Sequence, residues 1–203
     1  MKEYPSITKD VVQGEKIYAF DKLDGSNIRV EWSKKDKFHK FGTRTRLTDR
    51  NEKPWGEAID LIIGKYEKDL HDIFVNNRFQ EVVSFFEFFG ANSFAGNHLD
   101  EPHEVKLFDI RVHKKGIIEP NEYLKLVGNL DIAKLLYYGN ANQPFIESVK
   151  NRTLNNMTFE GVVCKGQLFR PGLPLMFKIK SNDWLEKLKK KCEGNERMFK
   201  ELE

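Results

Sequence analysis

The sequence predicts an α+β domain built on largely antiparallel sheets. Three observations carry that expectation. Most segments with a clear period alternate like strands, the helical segments are few and interspersed, and no regular βαβ alternation appears. The chain has 203 residues and 39% hydrophobic content, enough for one sizeable core. No Gly/Ser or Pro-rich linker divides it, so a single domain over residues 1–203 is expected.

The elements follow in order. "KIYAF" and "NIRVEW" read as strands, the second because Ile28, Val30 and Trp32 alternate with Asn27, Arg29 and Glu31. Between them lies "DKLDGSN", residues 21–27, whose Asp24-Gly25 pair predicts a hairpin turn with Gly25 supplying positive φ. "FHKFGTRT" reads as a further strand. "PWGEAIDLIIGKYEKDLHDIF" places Ala58, Ile62, Tyr66 and Ile73 near helical spacing, so an amphipathic helix is expected. "EVVSFFEFFG" and "EVKLFDIRV" are rich in strand formers. Residues 121–138 read as helix, broken near Gly128. "FEGVVCKG" and "LMFKIKS" are two more short strands. A C-terminal helix over about 182–203 begins with Asn182 as cap, and Trp184, Leu185, Leu188 and Cys192 share one of its faces.

Composition narrows the class. Charged residues make up 32%, yet the net charge is +3 and the pI about 8.7, which permits nucleic-acid binding without demanding it. No apolar run approaches the roughly eighteen residues of a membrane span. "MKEYPSITKD" lacks the apolar stretch of a signal peptide. Cys164 and Cys192 form neither a metal spacing nor a disulfide framework, and together these features point to a reducing, cytoplasmic setting. His98 and His103 flank acidic residues in "HLDEPH", but no metal-ligand spacing fits.

Several strand-like runs each carry charge inside an apolar stretch. Glu87 sits among four phenylalanines, and Glu160 opens "EGVVCKG". Lys178 and Lys180 share one side of a strand, as do Arg44 and Arg46. Each alone fits an edge strand with one wet face. Together, two carboxylates and four cations suit a cleft for a phosphate-bearing ligand and a divalent metal, since buried charges need partners. Lys22 then acquires a use. Beside other cations its amine is expected to have a lowered pKa and to attack an electrophilic phosphorus.

These segments resemble the ordered motifs of the covalent nucleotidyltransferases, the superfamily of ATP-dependent DNA ligases, RNA ligases and mRNA capping enzymes. "KLDGSN" resembles Lys-x-Asp-Gly of motif I, "EFFG" motif III, "LFDI" motif IIIa, "EGVV" motif IV and "FKIK" the Lys-x-Lys of motif V. "GTR" resembles the arginine element after motif I. The resemblance implies a ligase-type nucleotidyltransferase domain, with antiparallel sheets forming a nucleotide cleft and helices outside. It implies ATP with Mg2+ (or Mn2+) as cofactors and a lysyl-AMP intermediate on Lys22. Glu87 would bind the ribose hydroxyls, Phe108 stack on adenine, Glu160 bind the metal, and Lys178 and Lys180 hold the phosphates. Arg44 would contact ribose or phosphate, with Arg46 the lesser choice. Asp21, near the adenine edge, and Asn27 complete the nucleotide-binding set. Asp24 reads as turn geometry.

Asn27 stands where DNA ligases usually carry arginine, and RNA ligases more often have Asn there. The resemblance therefore leans toward an RNA ligase joining a 5′-phosphate to a 3′-hydroxyl, including at a nicked duplex. DNA nick sealing, or a nucleotide- or RNA-end-binding module without ligation, are the alternatives. Only about twenty residues follow motif V, with room for one helix and no OB-fold domain, so an accessory domain or partner protein is an open expectation. Lys187, Lys189, Lys190 and Lys191 on that helix read as solvated.

Overall fold

The computed structural model describes residues 1–91 and 100–202, so His98 lies outside the described residues. The strands are β1 (Lys16–Lys22), β2 (Gly25–Ser33), β3 (Lys37–Gly42), β4 (Leu47–Thr48), β5 (Glu81–Phe89), β6 (Glu104–Val112), β7 (Gly116–Ile117), β8 (Leu135–Asn140), β9 (Gly161–Arg170) and β10 (Leu173–Lys180). The helices are α1 (Trp55–Asn76), α2 (Pro120–Val127), α3 (Gln143–Lys150), α4 (Asn182–Lys191) and α5 (Glu196–Leu202). Two sheets form, in the orders β10-β9-β1-β8 and β4-β3-β2-β5-β6-β7, and every pair of neighbouring strands is antiparallel. The expected fold class is the observed one.

The larger sheet buries one face under α1. Ile28, Val30 and Trp32 of β2 meet Ile62, Tyr66, Leu70 and Phe74 there. Helix α1 starts without a side-chain cap. A cap is worth about 1 kcal/mol, and burying each large apolar side chain is worth about 1.5–3 kcal/mol, so packing outweighs the missing cap. The smaller sheet packs Ile17, Ala19, Val162 and Phe177 against Phe145, Ile146 and Val149 of α3. No helix among the described residues is long and apolar enough to cross a membrane.

Five expectations are corrected. β1 and β2 do not pair as a hairpin: they belong to different sheets, and Leu23–Asp24 carries the chain from one to the other. Gly25 does not have positive φ; a Cβ there would lie 2.3 Å from the Phe88 carbonyl oxygen, so the requirement is space. The helix expected over 121–138 ends at Val127, and β8 follows on the edge of the smaller sheet, paired with β1. Leu135, Leu136, Tyr137 and Tyr138 form an apolar run that periodicity alone cannot assign. Finally, Ser181, not Asn182, caps α4, its side chain accepting from the Trp184 N–H. The chain also breaks at Glu193 and Gly194, both with positive φ (46° and 81°), before α5 begins.

Candidate active site

At the β1–β2 corner a cavity of about 470 Å³ is lined by residues of both sheets. Lys22, the last residue of β1, stands on its wall. Across the smaller sheet Lys22 pairs with Gly161 of β9, and Gly161 pairs with Lys180 of β10. One rung of three strands therefore brings two lysines together on either side of a glycine. Gly161 has a φ of +140°, and a Cβ there would meet the Ile179 carbonyl oxygen at 2.1 Å. Only glycine fits between the lysines.

Glu160, immediately before that glycine, is 3% exposed. Its two oxygens are divided, one 2.8 Å from Lys22 Nζ and the other 3.1 Å from Lys180 Nζ. Glu87 faces the same cavity from β5, in register with Asn27 of β2. Phe108, Arg44, Lys178 and Asp21 also line it, so the predicted nucleotide-binding set is brought together. Arg46 is not part of it: exposed, it pairs with Glu52. The Asp21 carboxylate is occupied, accepting from the backbone N–H and hydroxyl of Thr158 at 3.0 and 3.1 Å. Burial still pushes its pKa up.

The electrostatics overturn one expectation. Burial pulls the Lys22 amine down, but the carboxylates of Glu160 and Glu87 outweigh it, and the net direction is up. The lysine whose pKa falls is Lys180: burial, opposed by Glu160 and aided by Lys22, brings it to about 8. Lys178 is lowered as well, by burial and then by Lys22. Burial drives the Glu87 carboxyl up to about 8, against the pull of Lys22. The expected neighbours are present, but a carboxylate 2.8 Å from Lys22 decides the sign.

The RNA ligase family profile matches residues 15–180. The chain belongs to the RNA ligase family. Comparison with the curated proteins found no match. Among solved structures, a Naegleria gruberi RNA ligase mutant with ATP and Mn is similar at 20% identity and a TM-score of 0.64, covering 86% of this chain and 52% of that one. A second mutant of that ligase, also with ATP and Mn, gives 19% identity and a TM-score of 0.66, covering 93% and 58%. The same ligase with PPi gives 22% and 0.62, covering 88% and 53%. This RNA ligase family member thus spans between half and three-fifths of the solved chains it resembles.

The residues fit a divalent cation held with a nucleotide. Among the described residues no group of three or more His, Cys, Asp or Glu forms a cage. Mg2+ characteristically uses one or two carboxylates and completes its shell with water and substrate phosphates. Glu160 is such a carboxylate, and the buried Asn27 Oδ1, which has no hydrogen-bond partner, is a further hard oxygen from a residue lining the same cavity.

Five lining residues escaped the sequence reading. Lys165 is 2% exposed and donates to the Phe108 carbonyl and the Asp109 carboxylate, both at 2.8 Å. Its place on the same strand face as Val163 in "EGVVCKG" is the available signal. Asp109 also accepts from the Tyr4 hydroxyl at 2.8 Å, and the Tyr4 ring stands edge-on to Phe108. Pro5 and Ile7 join Tyr4 on the cavity wall. Nothing in the local sequence marks the first ten residues for that duty. Trp184 of α4 also lines the cavity.

Proposed function

We propose that this RNA ligase family member is an ATP-dependent RNA ligase that works through a lysyl-AMP intermediate on Lys22. The observation that carries the proposal is the Lys22–Glu160–Lys180 cluster on the wall of a nucleotide-sized cavity. Lys22 Nζ first gives its proton to the Glu160 carboxylate 2.8 Å away, and the neutral amine attacks the α-phosphorus of ATP. A P–N bond forms, the bond to the bridging oxygen of the β-phosphate breaks, and pyrophosphate leaves. The RNA 5′-phosphate then displaces Lys22 from AMP, breaking the P–N bond. Last, the 3′-hydroxyl attacks the activated 5′-phosphorus, and AMP leaves.

The chain's residues divide the work. Lys178 and Lys180, side by side on β10, hold the phosphates, and Arg44, which lines the same cavity, contacts the ribose or phosphate. Phe108 stacks on adenine, with the Tyr4 ring edge-on to it and Lys165 hydrogen-bonded to its carbonyl. Glu87 binds the ribose hydroxyls; with its carboxyl at about 8 it is mostly protonated at neutral pH and able to donate as well as accept. Glu160, with Asn27 lining the same cavity, would hold Mg2+ or Mn2+, which neutralises phosphate charge when bound. ATP and Mn in the Naegleria gruberi structures support the cofactor assignment.

The test is a ligation panel with the wild type and Lys22→Ala. Nicked RNA–DNA hybrids, single-stranded RNA and nicked DNA, each with a 5′-phosphate and a 3′-hydroxyl, are offered with ATP and Mg2+. Sealing of an RNA substrate by the wild type alone is expected. Sealing confined to nicked DNA contradicts the RNA assignment, and tight end binding without sealing points to a binding module.

A further inference from the structure

Lys180 is held from two sides. Its Nζ lies 3.1 Å from Glu160 and only 3.6 Å from the centroid of the Trp184 ring. Trp184 stands in the first turn of α4, beyond Lys180, where the family match ends. Its side chain is 3% exposed and packs with Phe159, Leu188 and Cys192. Phe159 directly precedes Glu160.

The backbone ties the same parts together. The Ser181 hydroxyl donates to the Phe159 carbonyl at 2.6 Å and accepts from the Trp184 N–H at 3.2 Å. The Ser181 N–H donates to the Glu160 carbonyl at 2.9 Å. The start of α4 is thereby pinned both to the strand that ends in Lys180 and to the loop that presents Glu160.

Trp184 Nε1 is buried without a hydrogen-bond partner. An unpaired buried N–H is unfavourable, and phenylalanine would avoid it. What tryptophan offers over phenylalanine is the strongest ring face for a cation. Lys180 needs such a support. Its long aliphatic stem is flexible, and the carboxylate it pairs with, Glu160, is shared with Lys22.

We infer that Trp184 is a positioning residue: its indole face fixes the Lys180 ammonium where it meets the nucleotide phosphates, whichever partner Glu160 engages. The inference rests on the proposed role of Lys180 in nucleotidyl transfer. It also gives α4 a duty in the site that the fold class does not require.

The test compares wild type, W184L and W184F, each checked for a wild-type thermal transition. In lysine-labelled protein, the ε-methylene protons of Lys180, assigned by a Lys180→Met control, should lie upfield of the other lysines because they sit over the ring. That shift should vanish in W184L and persist in W184F. The turnover rate for AMP transfer to Lys22 should fall roughly 2- to 30-fold in W184L and by a smaller factor in W184F, whose ring face attracts a cation less. Should W184L fail to fold, a fluorinated tryptophan at position 184 keeps the shape and weakens the ring's attraction for a cation, and it should slow transfer likewise. A wild-type rate in W184L or in the fluorinated protein overturns the inference, as does a Lys180 resonance that W184L leaves unmoved. If the wild type forms no lysyl-AMP, the functional reading fails, while the resonance comparison still decides whether Trp184 holds Lys180.

Discussion

Replacing Gly25 by alanine puts a methyl carbon 2.3 Å from the Phe88 carbonyl oxygen and 2.9 Å from its carbonyl carbon. Both atoms are backbone of β5, the strand that pairs with β2, and cannot swing aside as a side chain would. Ordinary contact begins near 3.4 Å, so the strands must part by about 1 Å. Overpacking of this kind costs roughly 1–3 kcal/mol. For a chain of this size that lowers the melting temperature by about 2–12 °C. The functional effect should be larger, because Lys22 stands just before the corner that Gly25 ends. A displacement of about 1 Å at a reacting group costs on the order of 10²-fold in rate. The assays are a thermal melt and the rate of AMP incorporation into protein. Gly25→Asn sharpens the test: asparagine tolerates left-handed backbone, so it would be accepted if Gly25 served a positive φ, but it has the same Cβ. Equal damage from Ala and Asn is expected. A G25A protein that melts and reacts like wild type, or an Asn variant that is tolerated where Ala is not, refutes the reasoning.

Other predictions follow from the same site. The Glu87 carboxyl rises from 4.5 to about 8 on folding, so the folded protein binds that proton more tightly than the unfolded chain. The associated stability is complete below about pH 4.5 and lost as pH rises through 8. Glu87→Gln should therefore gain melting temperature relative to wild type between pH 5 and pH 9, and parallel curves across that range would refute this. Arg44→Ala should slow AMP transfer sharply, whereas Arg46→Ala, which loses only an exposed pair with Glu52, should leave activity and melting near wild type. Equal loss in both variants contradicts the assignment. Phe108→Ala should raise the ATP concentration for half-maximal transfer roughly 5- to 150-fold, the range expected for one stacked base; an unchanged value would make Phe108 a packing residue only.

The legible parts of this protein are those where local chemistry matches the final surroundings. The strict alternation of β2 and the apolar stripe of α1 reappear as one buried interface. The charges inside apolar strands, Glu87, Glu160, Lys178 and Lys180, do converge on one cavity, because such charges require one another. What was illegible depends on long-range partners. Periodicity says that β1 and β2 are strands but not that they enter different sheets, so Asp24-Gly25 looked like a hairpin. β8 is a strand because β1 offers it an edge, and its apolar run gave no sign of that. The Lys22 amine was expected to be lowered by its fellow cations. The answer turned on Glu160, which only the Lys22–Gly161–Lys180 rung brings within 2.8 Å. Tyr4 reaches Asp109 across more than a hundred residues of sequence, a contact no local pattern encodes.

The most direct measurement is the intact mass of the pure protein after incubation with ATP and Mg2+, followed by peptide mapping of any adduct. The account predicts a gain of one AMP, acid-labile, located on Lys22 and absent from Lys22→Ala. An unchanged mass with ATP, or an adduct on any other residue, would contradict it.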